Sequence, residues 1–170
     1  MAGRIIIVSG PSSGGKSTLI DQLRKFFPDP LCKYSTDQLT DGNFIPLRHT
    51  QSEGVAVDTE KFYRGFHRSI VAFAEADNDL IVEMVFECRQ LADDLASVLQ
   101  GYPTLWIWAS APEEIRRQRE LDREDRILGT TDVHVKARDY CTWDLEIDTT
   151  EPESENLFKI EQAWLALNAA

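Results

Sequence analysis

Gly10, Pro11, Ser12, Ser13, Gly14, Gly15, Lys16 and Ser17 follow one another in the order G-x-x-x-x-G-K-S. That spacing suits a loop that wraps a polyphosphate. Glycine lets the backbone turn tightly and bring its N–H groups against phosphate oxygens. A helix opening at Lys16 adds its positive end to the same anion site. In such a loop Lys16 reaches the β- and γ-phosphates, the Ser17 hydroxyl binds Mg²⁺, and Thr18 lies in the same turn. The pattern therefore predicts a nucleoside triphosphate. It does not say where the phosphoryl group goes.

Two further groups could supply that step. Asp37 ends the run Tyr34-Ser35-Thr36-Asp37, and Glu83 ends Leu80-Ile81-Val82-Glu83. A carboxylate at the end of a parallel strand sits at the ligand rim, where it can take a proton or orient a metal-bound water. Asp37 is read as the base and Glu83 as a metal-water or substrate-orienting group. The second group is basic: Arg116, Arg117, Arg119, Arg123 and Arg126, interleaved with acids. Alone, mixed charge of this kind is a solvated helix. Arg119, Arg123 and Arg126, however, recur at spacings of four and three on one face, where their forks could meet phosphate oxygens. Arg123 and Arg126 are preferred over Arg116.

These residues need elements to hold them. The run Arg4–Ser9 is β-branched and apolar, as in a buried parallel strand, and Leu19, Ile20 and Leu23 continue at helical spacing. Strands are expected at about 3–9, 32–36, 79–85, 103–109 and 144–148, and helices near 16–27, 59–77, 87–99, 112–124 and 153–167. Ser110 is read as the cap of the fourth of these helices. Alternation of this kind predicts one α/β domain over residues 1–170, a three-layer sandwich with a five-stranded parallel sheet and helices on both faces. The Arg-rich stretch at about 116–140 is read as a lid, as in small P-loop kinases.

The stretch 38–58 lacks periodicity and carries apolar residues among Gly42, Pro46 and Gly54. A loop of this length is either functional or packed along the sheet edge. With the start of the following helix it gives an acceptor segment at about 38–66. Asp37, Phe44, Val55, Phe62, Phe66 and Phe86 are the residues expected against the acceptor. The Phe62, Phe66, Ile70 and Phe73 stripe also reads as core. Thr149 and Thr150, after the last strand, are placed near the base of the nucleotide.

A formal charge of −11 argues against nucleic acid or an anionic membrane surface as partner. Cys32, Cys88 and Cys141 are widely spaced, which fits free thiols in a reducing cytoplasm. His49, His67 and His134 show no metal-ligand spacing. No stretch has the length and apolarity of a membrane span, and no signal peptide is expected. The partners considered are a small-molecule alcohol and, in a homodimer, a second copy of the chain.

Several of these segments resemble the chloramphenicol phosphotransferase-like proteins, a family of small P-loop kinases. They are Gly10–Ser17, Thr36-Asp37-Gln38-Leu39, Ile81–Phe86, the Arg119–Arg126 stretch and Trp143-Asp144-Leu145-Glu146-Ile147-Asp148-Thr149-Thr150. The resemblance implies a shikimate-kinase-like fold, ATP with Mg²⁺, and phosphorylation of a small alcohol, with an antibiotic among the candidates. It matches the family's catalytic aspartate to Asp37, its loop residues to Lys16 and Ser17, and its lid arginines to Arg123 and Arg126. Glu83-Met84 stands where the family has paired aspartates, and the 43–66 segment is shorter and changed. A nucleoside, nucleotide or sugar-nucleotide kinase shares every phosphate-loop feature. A nucleotide-binding module without transfer activity is the reading from another class.

Overall fold

Residues Ile5–Ser9 form strand β1, and every side chain on it is buried. Ile5 and Ile7 face one layer of core and Ile6 and Val8 face the other, as the two-residue period of a strand requires. A strand with apolar residues on both faces is stable only with helices on both sides. The computed structural model of the chain supplies them. It describes residues 2–42, 44, 47–49, 55–57, 59–122 and 134–167.

Chain order after β1 is α1 (Lys16–Phe26), β2 (Cys32–Ser35), α2 (Thr36–Asp41), β3 (Leu47–His49), β4 (Val55–Val57), α3 (Thr59–Glu75), β5 (Leu80–Met84) and α4 (Arg89–Val98). β6 (Thr104–Ser110), α5 (Glu113–Leu121), a 3-10 turn (Lys136–Tyr140), β7 (Leu145–Asp148) and α6 (Glu153–Ala166) complete it. The main sheet has the order β2-β5-β1-β6-β7, with every neighbouring pair parallel. The five expected strands are all present. β3 and β4 form a separate antiparallel pair, so the stretch read as irregular contains a short hairpin.

One core layer joins the sheet to α3 and α4 through Phe62, Phe66, Ile70, Leu91 and Leu95. The other joins it to α1 and α6 through Ile20, Leu23, Leu157, Ile160 and Trp164. At the amino edge of the sheet, Asp79 accepts from the Arg4 backbone N–H at 2.7 Å and from its guanidinium at 2.5 and 3.1 Å. The same guanidinium lies 4.1 Å from the Trp164 ring centroid. A planar cation suits both contacts.

Two boundaries differ from expectation. β2 stops at Ser35, because Ser35 and Gln38 form a capping box. The Gln38 N–H donates to Ser35 Oγ at 3.2 Å, and the Ser35 N–H donates to Gln38 Oε1 at 2.9 Å. Two amides that the first turn leaves unpaired are thereby satisfied, and α2 starts at Thr36. Ser110 does not cap α5, since β6 runs through it and Pro112 precedes the first turn. Its hydroxyl instead accepts from the buried Arg116 guanidinium at 3.1 Å.

Candidate functional site

The loop after β1 carries backbone that only certain side chains tolerate. Gly10 has φ of 154°, and a Cβ there would stand 1.9 Å from the Ala109 carbonyl oxygen. Gly15 has φ of 94°, and its Cβ would stand 2.6 Å from the Thr149 hydroxyl. β6 and the turn after β7 therefore press on the loop at the two glycines the motif fixes. Ser13 also takes a left-handed φ of 58°. Among the described residues the buried Ser13 Oγ has no hydrogen-bond partner, a polar atom suited to a phosphate oxygen. Lys16 is buried, and its ammonium donates to the Gly10 and Pro11 carbonyls at 3.1 and 3.0 Å.

Strand register brings the acids to this loop. Glu83 lies opposite Val8 of β1 on one side and Ser35 of β2 on the other. Its carboxylate accepts from Ser17 Oγ at 2.7 Å. Asp37 follows Ser35 by two residues, in the exposed first turn of α2. Negative charge is favoured at that end of a helix. Ser12–Thr18, Asp37 and Glu83 line one cavity of about 220 Å³, together with Tyr63, Met84, Val85, Glu87 and His134.

A second cavity of about 370 Å³ opens on the other side of the loop, lined by Ser13, Gly15, Thr18, Arg119, Thr149 and Asn156 among others. The Thr149 hydroxyl donates to the Gly14 carbonyl at 2.7 Å and accepts from Arg119 at 3.3 Å. Arg119 also donates to the Ser13 carbonyl at 3.4 Å. Thr149 is therefore a strut under the loop as well as a wall of this cavity. Thr150 turns back: its N–H and hydroxyl both donate to Asp148 Oδ1, at 2.8 and 2.7 Å.

The expected acceptor residues do not gather as a set. Phe66 and Phe86 are 2% and 1% exposed and Phe62 is 9%, all within the core layer against α3 and α4. Phe44 is exposed and does not line the cavity. Val55 is in β4, but its side chain lies outside the described residues, as do Arg123 and Arg126. The wall is made instead by Tyr63, Glu87 and His134, which sequence reasoning missed. Tyr63 follows Phe62 on α3, is buried in the same core layer, and also forms part of the cavity wall.

A magnesium site here fits the residues present. Among the described residues, no three His, Cys, Asp or Glu side chains gather into a metal cluster. Mg²⁺ commonly needs only one or two protein groups beside phosphate oxygens and water, and Ser17 with Glu83 supplies these.

The sequence profile of the chloramphenicol phosphotransferase-like proteins matches residues 3–164. The chain belongs to that family. No curated protein matches it in sequence. Among solved structures, it is similar to the APS kinase of Mycobacterium tuberculosis in complex with AMPPNP and APS. Identity there is 14% and TM-score 0.70, over 96% of this chain and 98% of that one. A sugar kinase from Janibacter shares 19% identity at TM-score 0.65, over 97% and 95%. A gluconokinase from Sinorhizobium meliloti shares 14% at TM-score 0.56, over 99% and 93%. At these identities the likeness concerns the fold, which is that of P-loop kinases. Family and fold support a phosphotransferase of kinase type with a nucleotide-binding loop.

Proposed function

We propose that the chain transfers the γ-phosphoryl group of ATP to a hydroxyl of a small organic molecule. The observation that carries this reading is the convergence of Ser12–Thr18 of the phosphate loop with Asp37 and Glu83 on one cavity. The loop amides and Lys16 hold the polyphosphate, and the acceptor enters from the side of Asp37. Asp37 takes the proton as the acceptor oxygen bonds to phosphorus and the bond to the departing ADP breaks. Bound Mg²⁺, held through Ser17 and Glu83, would neutralise charge on the phosphate oxygens. Arg123 and Arg126 are proposed as lid residues that meet the same charge in the closed state. Placing both reactants in one narrow cleft supplies most of what phosphoryl transfer requires.

Asp37→Asn tests this. The variant should bind ATP as the parent does and lose most acceptor-dependent ADP release. Turnover equal to the parent's would remove Asp37 from the base role. A sugar or nucleotide acceptor shares the same phosphate machinery, and an acceptor panel scored by ADP release separates these from other organic alcohols, antibiotics included.

A further inference from the structure

The proposed chemistry uses Asp37 and Glu83 but leaves a third carboxylate of the cleft without a task. Glu87 follows Phe86, whose buried ring anchors the segment after β5 on the Trp143 ring, 6.3 Å away. Glu87 itself is exposed and lines the cleft. Among the described residues its hydrogen-bond partner is the Tyr63 hydroxyl, which donates to Oε1 at 3.5 Å. Tyr63 is 8% exposed, wedged against Phe62 with ring centroids 5.6 Å apart. Burial, and after it the charge of Glu87, raise the Tyr63 pKa well above the usual phenol value. The phenol therefore stays protonated and steadies the carboxylate as a fixed donor.

A carboxylate accepts about four hydrogen bonds, so one phenol leaves most of that capacity open. Glu87 also stands at a junction. A third cavity, of about 440 Å³, also has Glu87 in its wall, between the starts of α3 and α4. The other charges there have partners: Arg64 pairs with Glu60 at 3.8 Å, and Asp94 meets His67 Nδ1 at 2.6 Å. Glu87 lines both cavities, so an acceptor that reached from one into the other would meet it.

We infer that Glu87, steadied by Tyr63, selects the acceptor by taking a hydrogen bond from a second hydroxyl or an ammonium group on it. This rests on the phosphotransferase reading and narrows it to neutral or cationic polyhydroxy or amino alcohols. Asp37, Glu83 and Glu87 together repel an acceptor with an anionic group at that position. Like charge against a carboxylate-lined wall discriminates without any loss of fit elsewhere.

The test uses two matched sets of alcohols with Mg-ATP: glucosamine, glucose and gluconate, and an aryl-propanediol carrying an amine, an amide or a carboxylate. ADP release gives kcat/KM for each. The parent should favour the cationic and neutral members over the anionic one by at least about tenfold, the scale of one hydrogen bond to a charged group. Glu87→Gln should draw that ratio toward one, Glu87→Lys should invert it, and Tyr63→Phe should shift it in the same direction as Glu87→Gln by less. A parent preference for the anionic members overturns this inference alone. So does a ratio unmoved in a Glu87→Gln variant with the parent's thermal midpoint. No transfer to any member overturns the phosphotransferase reading and this inference together.

Discussion

Thr149→Val isolates the strut beneath the phosphate loop. Valine keeps the shape that presses on Gly15 and removes only the hydroxyl, which donates to the buried Gly14 carbonyl at 2.7 Å. Leaving a buried acceptor without its donor costs about 1–3 kcal/mol. The Arg119 contact at 3.3 Å is longer, and a long side chain can turn to solvent, so it adds little. A loss of about 1–2 kcal/mol in a domain of this size lowers the thermal midpoint by roughly 3–6 °C. The Ser13 and Gly14 amides would be less well held, and affinity for Mg-AMPPNP should fall by about threefold to tenfold, within what the same free energy allows. Thermal unfolding followed by circular dichroism, together with calorimetric titration of Mg-AMPPNP, reads both quantities. Thr149→Ser should recover most of each, because the hydroxyl returns. A Thr149→Val protein with the parent's midpoint and the parent's nucleotide affinity would refute the strut.

Two further outcomes are expected. Ser17→Ala removes the donor of the 2.7 Å contact at the proposed magnesium position and Glu83→Gln removes the charge of its acceptor, and each should raise the Mg²⁺ concentration for half-maximal ADP release by roughly 10- to 100-fold. An unchanged magnesium titration would place the ion elsewhere. His67 is fully buried beside Asp94, and burial lowers its pKa more than the carboxylate raises it. The unfolded chain then binds the extra proton first, so stability is lost as pH falls below about 6.5. The thermal midpoint should drop between about pH 7.5 and 5.5, and His67→Asn should flatten that drop. An identical slope in the variant would remove His67 as its source.

What could be read from the chain was what lies close together along it. The strand, loop and helix from Arg4 to Leu23 are contiguous, and their spacing alone carries their geometry. Glu83 was legible as a strand end, and the register beside Val8 and Ser35 brings it to Ser17. The Ser35–Gln38 capping box was also present in the sequence, at the S-x-x-Q spacing, and would have moved Asp37 from a strand end to a helix start. Other features needed the third dimension. Phe62 and Phe66 satisfy a core stripe and a pocket wall equally well until the side of α3 that meets the sheet is known. The Thr149–Gly14 contact spans 135 residues, and the Tyr63–Glu87 contact joins a helix to the end of a strand. No local pattern announces either.

The position of the Lys16 ammonium bears on how a nucleotide is received. The Gly10 and Pro11 carbonyls that it meets belong to the loop itself, so the cation helps to shape the cradle as the chain folds. A polyphosphate reaches it by exchange, displacing neutral oxygens in favour of charged ones. The attraction it offers is therefore a difference between two sets of contacts. Ligands with several linked phosphates, which engage the amides simultaneously, profit most from that difference, and a lone small anion profits least.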